Sequence, residues 1–115
     1  MLRGEIRLVG LEPVRGSEVN KRRPALIVSN DRANAAAGRL GRGVITVVPV
    51  TSSVERVYPF QTLLPAATTG LPRDSKAQTE QIRSISVERV GPVLGRVPLA
   101  AMAELEDAVR LHLQI

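Results

Sequence analysis

The sequence predicts a mainly β domain with short helices: a curled antiparallel sheet of the SH3-like barrel type, finished by a C-terminal amphipathic helix. Three observations predict it. Short runs of strand-like patterning recur along most of the chain, separated by connections containing glycine or proline. One short helix, opening at Asn30, interrupts them, and the final segment carries an apolar stripe at spacings of three and four residues. At 115 residues the chain fits a single domain over 1–115, long enough to bury a core without disulfides.

Residues 5–11 read as a first strand, with Ile6 and Leu8 on one face and Arg7 and Val9 on the other. A long polar loop, 12–23, follows and holds Pro13 and Gly16. Residues 24–29 are short and continuously apolar, the pattern of a strand covered on both faces. Asn30 can cap a helix through about Ala37, and Gly38, Gly41 and Gly43 then punctuate a turn into a strand at 44–50. These glycines do not make a phosphate loop. They follow a helix and precede a strand, the reverse of the order that aims backbone amides at phosphate. Further strands are predicted at 60–64 and 90–97, with a Pro/Gly-rich connection at 65–74 and weak period-two patterning over 76–86. After Pro98, the stripe Met102, Leu105, Val109 and Leu113 marks the last helix.

Composition narrows the chemistry. There is no cysteine, which removes disulfides, thiolate metal sites and cysteine nucleophiles. His112 is the only histidine, near the end of the last helix, so a histidine pair for acid–base work is not available. No apolar run approaches the roughly 20 residues that span a bilayer, and the N-terminus patterns as a strand; a cytoplasmic protein with no membrane partner is expected. The net charge is +5, and residues 1–57 hold ten Lys or Arg against five Asp or Glu, whereas residues 58–115 hold six of each. The positive excess therefore coincides with the polar loops of the N-terminal half and favours a polyanionic partner.

Arg23 ends the first polar loop directly before Pro24, which restricts the residue preceding it to extended geometry and so aims the guanidinium. Thr51, Ser52 and Ser53 leave the strand at 44–50 in the same way. If these two strand ends meet, an arginine, hydroxyls and a glutamate would form a phosphate-handling site.

The motifs RGEI at 3–6, GSE at 16–18, RPALIVSND at 23–31, VPVT at 48–51, YPF at 58–60 and EQIRSI at 80–85 occur in one order. In that order the sequence resembles the MazF/PemK family of toxin endoribonucleases. The resemblance implies the MazF/CcdB-type toxin fold and a homodimeric mRNA interferase that cleaves single-stranded RNA at short sequences, without metal or cofactor. It further implies silencing by a cognate acidic antitoxin. By the same resemblance Arg23 and Thr51 match the catalytic arginine and threonine, Glu18 matches the loop glutamate, and Gln81 lies in the strand used near RNA. Arg15, Ser17, Lys21 and Arg22 would meet the RNA from the first loop, and Ser52 and Ser53 from the second. The chain departs from the family in carrying Arg7, Leu8 and Gly10 after RGEI, and Tyr58 and Phe60 are its only Tyr, Phe or Trp residues. Loop hydrogen bonds and arginine stacking must then supply more of the base recognition.

Such an enzyme would use the 2′-hydroxyl of RNA as an internal nucleophile, leaving 2′,3′-cyclic phosphate and 5′-hydroxyl ends. Arg23 suits the accumulating phosphate charge, Thr51 can orient the phosphate or the 2′-hydroxyl, and Glu18 is the candidate base. Two alternatives share the fold: a CcdB-like gyrase poison acting by protein binding, and an inactive relative that only binds RNA or an antitoxin. His112 reads as a helix-surface or packing residue.

Overall fold

A computed structural model describes residues 1–11 and 22–115. Strand β1 (Glu5–Gly10), strand β2 (Arg22–Ile27), helix α1 (Asp31–Leu40) and strand β3 (Val44–Thr51) make up the first half. They are followed by β4 (Gln61–Leu64), the single turn α2 (Ala66–Thr69), β5 (Ser75–Gln78), β6 (Arg83–Ser86), β7 (Val90–Arg96) and α3 (Leu99–Leu113). Tight 3-10 turns at Thr79–Gln81 and Val87–Arg89 precede β6 and β7. The order β4-β5-β3-β2-β1-β7 forms one antiparallel sheet, with β6 added on β3.

Two of the predicted segments divide further. The 76–86 stretch is two strands, β5 and β6, separated by a 3-10 turn, because β3 offers one edge to two partners in succession. Val44 to Val47 pair with β6, and Val50 and Thr51 pair with β5. Pro49 stands at the changeover. The Thr46 carbonyl points toward β2, accepting the Val28 amide at 3.0 Å. By strand alternation, Pro49 faces its missing donor toward the opposite edge, where the two partners leave a gap. The 65–74 connection contains α2, whose Thr69 hydroxyl donates to the Pro65 carbonyl.

Strand β2 is covered on both faces, as its apolar run requires. Leu26 lies with Ile6, Val48, Val50, Leu64, Met102 and Leu105 in the core beneath α3. Ala25 and Ile27 lie with Val9, Ile45, Val47, Ile85 and Ala37 of α1 in a second cluster on the other face. Asn30 caps α1 by accepting the Ala33 amide at 2.8 Å, and Gly41 ends it at φ 65°, a left-handed conformation that glycine adopts without strain. The α3 stripe differs from expectation at its end: Ala108 is buried and Leu113 is 45% exposed. Leu111 and Ile115 are exposed as well, so the last turn runs past the surface on which Met102 and Leu105 pack.

The sheet's other edge is tied by a buried carboxylate. Glu5 is 5% exposed; one oxygen accepts the Leu2 amide at 2.8 Å and Arg7 at 3.1 Å, and the other accepts Arg96 of β7 at 3.2 Å. Burial pushes this carboxyl up, but the Leu2 amide and Arg7 outweigh it and hold Glu5 below the usual value. Its contribution to stability is therefore present above the ordinary Glu pKa of about 4.3 and lost as pH falls through the lowered folded value. Glu5→Ala should lower the unfolding free energy by about 3 kcal/mol near neutrality. The gap from wild type should narrow in acid, as measured by denaturant titration at both pH values.

Candidate active site

Arg23 and Thr51 are placed by strand register. The β2–β3 ladder ends with Ala25 paired to Pro49; continued two residues past that end, the same register brings Arg23 level with Thr51. Cross-strand partners share a sheet face, which turns both side chains the same way. On its other side β2 pairs Arg23 with Val9 of β1, so the arginine is anchored although its guanidinium is exposed. Both residues line a cleft of about 780 Å³ that opens where β3 leaves the sheet. No ion pair or hydrogen bond engages the Arg23 guanidinium among the described residues.

The Thr51 hydroxyl is held by its own loop. Its oxygen accepts the Ser53 amide at 3.2 Å, which leaves the hydroxyl proton free to be donated into the cleft. Across from Thr51 on β5 lies Lys76, only 8% exposed, whose ammonium donates to the Arg56 carbonyl at 2.6 Å and stands 5.8 Å from the Tyr58 ring centroid. Thr51 is thus flanked by cations on both neighbouring strands.

Of the other expected site residues, Ser52 and Gln81 line the cleft with Arg23 and Thr51. Ser53 is exposed and contributes its amide to Thr51. Arg22 is directed elsewhere. A Cβ at Gly91 would come within 2.7 Å of its Nη1 and of the Leu8 carbonyl oxygen, so glycine is what lets Arg22 lie against β7. Arg15, Ser17, Glu18 and Lys21 fall outside the described residues. Sequence reasoning passed over Arg73, Ser75, Gln78 and Arg83, all of which line the same cleft. Arg83 was within reach, since it belongs to the EQIRSI motif. Arg73 carries no local signal, because it lies in an irregular connection that only the β4–β5 pairing brings to the cleft.

A polar brace fixes the wall that carries Gln81. Gln61 accepts the Tyr58 amide at 3.2 Å and donates to Glu80 at 2.8 Å, and the Thr79 hydroxyl donates to the Phe60 carbonyl. The second Glu80 oxygen is buried with no hydrogen-bond partner among the described residues. Above this brace Tyr58 stacks on Phe60 with centroids 5.3 Å apart and planes 3° from parallel, and the Arg56 guanidinium lies 5.6 Å from the Tyr58 centroid. His112 is exposed on α3, 6.3 Å from the Phe60 ring, in a packing position. Among the described residues no three His, Asp or Glu side chains converge as a metal-ligand set. No helix among them is long and apolar enough to cross a membrane.

The model of the PemK-like, MazF-like toxin family of type II toxin–antitoxin systems matches residues 2–113. The chain belongs to this toxin family. It is 64% identical over 115 residues to endoribonuclease MazF9 of Mycobacterium tuberculosis, covering 100% of this chain and 98% of that protein. Among solved structures it resembles MazF from Deinococcus radiodurans, with a TM-score of 0.74 and 26% identity, covering 100% of this chain and 97% of the other. It also shares the fold of a mycobacterial endoribonuclease in complex with its cognate antitoxin, at TM-score 0.74 and 23% identity over 100% and 96% of the two chains. The SH3-like toxin fold expected from the motifs is the fold observed.

In this MazF-like toxin the brace under Gln81 has a measurable consequence. Gln61→Leu would strand the Tyr58 amide and the Glu80 carboxylate, of which one oxygen already lacks a partner among the described residues. It should lower the unfolding free energy by about 2 kcal/mol, read by denaturant titration.

Proposed function

We propose that this MazF-like toxin is a metal-independent endoribonuclease that cleaves single-stranded RNA, mRNA included, at specific short sequences in the cytoplasm. The observation that carries the reading is that Arg23 and Thr51 line one cleft and that the Arg23 guanidinium has no ion pair or hydrogen bond among the described residues. Its 64% identity over the whole chain to a protein named endoribonuclease supports the reaction class.

The 2′-hydroxyl attacks the adjacent phosphorus while the bond to the 5′-oxygen of the next nucleotide breaks; the departing oxygen takes up a proton from Arg23 or from water, leaving a 2′,3′-cyclic phosphate and a 5′-hydroxyl. Arg23 can hold two non-bridging oxygens with its planar guanidinium and offset the charge that gathers there. Thr51 donates its free hydroxyl proton to the phosphate as a hydrogen bond and so orients it. Glu18, from the loop that precedes Arg23, takes the 2′-hydroxyl proton. A guanidinium with pKa above about 12 is a poor base. Gln81, Ser52, Ser53 and the first-loop residues Arg15, Ser17 and Lys21 contribute RNA binding, whereas Arg22, which lies against β7, is left out.

A mixed-sequence RNA incubated with the protein in chelator should yield discrete cleavage sites with cyclic-phosphate ends; intact RNA would favour a toxin that acts only by binding protein. Arg23→Ala and the isostere Thr51→Val should each reduce single-turnover cleavage by roughly 10²–10³-fold, and Arg23→Lys should recover it only partly. Glu18→Gln should retain RNA binding, lose roughly 10²–10⁴-fold in rate and abolish the acid limb of the pH profile. An unchanged limb with near-normal rate would remove Glu18 as the base.

Two partners complete the reading. A homodimer is supported by the exposed apolar side chains Leu40, Val44, Leu111 and Ile115 and by a groove of about 670 Å³ between α1, β3 and α3. An acidic antitoxin segment that covers the basic cleft is supported by the cleft's charge and by the antitoxin complex known for a protein of the same fold. Sedimentation at micromolar concentration should give a dimer, and a monomer there would overturn the assembly.

A further inference from the structure

Resting on the RNA reading above, we propose that Arg83 and Arg73 are phosphate-binding residues on either side of Arg23. They would define a linear track along β3 that holds the RNA backbone both upstream and downstream of the cleaved bond.

The register supplies the spacing. Arg83 of β6 pairs with Val47, four residues before Thr51 on β3. At roughly 3.4 Å per residue it stands about 14 Å from the level of Thr51 and Arg23, and on the same face as Val47 and Thr51. Arg73 lies beyond the other end. Lys76 pairs with Thr51, and β5 runs antiparallel to β3, so the three residues back to Arg73 carry it past the end of β3. Three residues span at most about 10 Å. By backbone level the three arginines therefore run in the order Arg83, Arg23, Arg73, and all three line one cleft.

The electrostatics agree. Among the described residues lining the cleft there are three arginines and no carboxylate. Elsewhere Arg3 pairs with Glu106, Arg7 and Arg96 with Glu5, and Arg110 with Asp107, whereas the exposed Arg32, Arg39 and Arg42 are, like the cleft arginines, without an ion pair among the described residues but do not line the cleft. Neither Arg73 nor Arg83 has a side-chain hydrogen bond or ion pair among the described residues. The acids nearest to them in sequence are engaged. Asp74 accepts the Ala66 amide at 2.9 Å, and Glu80 accepts Gln61. Among the described residues nothing neutralises the cleft's positive field, and arginines at three backbone levels along it fit separate phosphates of an extended strand.

The test is the salt dependence of binding to a labelled single-stranded 2′-O-methyl RNA of mixed sequence, which cannot undergo 2′ attack. On single strands each phosphate contact adds about 0.7 to the slope of log affinity against log salt. Arg73→Gln and Arg83→Gln should each flatten the slope by about 0.7 and together by about 1.4, while the corresponding Lys variants keep it. Arg39→Gln, on the exposed surface of α1, should leave it unchanged. With cleavable RNA, Arg73→Gln and Arg83→Gln should raise KM with kcat nearly constant, the mark of binding shared by ground and transition states. Slopes that do not move in the two Gln variants, or that move equally in Arg39→Gln, would overturn the track while wild-type cleavage still upheld the nuclease. A wild-type protein that neither binds nor cuts RNA would overturn both.

Discussion

Strand β3 is the constraint on which the rest of the structure depends. It pairs with β2 along one edge and with β6 and then β5 along the other, so its backbone groups are satisfied only if three separate segments arrive in the right register. Buried side chains on both of its faces penalise any slip, because a shift by one residue would exchange Val48 and Val50 with Val47 and Pro49. The same register that closes the core also sets the level of Thr51 against Arg23 and against Lys76.

The chemistry of the cleft follows from that framework. Arginine and threonine are unremarkable residues at the ends of strands; what suits them to the proposed role is that the one has no partner among the described residues and the other has its oxygen occupied by the Ser53 amide. An unpaired guanidinium can meet an incoming phosphate without first breaking an ion pair, and a hydroxyl whose lone pair is taken has a proton to give. Lys76 adds positive potential from across the strand while the Arg56 carbonyl holds it in place. Together these features favour an anion and offer no competing internal one among the described residues lining the cleft.

The remainder of the site is supported at one remove. The Gln61 brace joins the connection after β3 to the turn carrying Gln81, so the cleft wall and the aromatic pair Tyr58 and Phe60 share one hydrogen-bonded base. Glu5 performs the equivalent task at the far edge, tying β1 to β7 through Arg96. Both are buried polar groups that combine near partners, Leu2 and Arg7 or Tyr58, with one distant partner each, Arg96 and Glu80. Their energetic role is therefore invisible to any local reading.

The sequence by itself determined the strands whose patterning is strong and the helix that Asn30 caps, because periodicity and capping are local properties. It also determined that β2 is covered on both faces, and its ordered motifs pointed to the family and to Arg23 and Thr51 as candidate site residues. It did not separate β5 from β6, since weak alternation over 76–86 carries no mark of the point where β3 changes partner. Nor did it show that Leu113 escapes the core, which depends on where the sheet under α3 ends. Arg73 and Arg83 were left aside for a related reason: a surface arginine in an irregular connection or at a strand start looks like any other until pairing fixes its neighbours. Only the tertiary structure decided that these two share a cleft with Arg23, because the distance between side chains far apart in sequence is set by register and not by residue type.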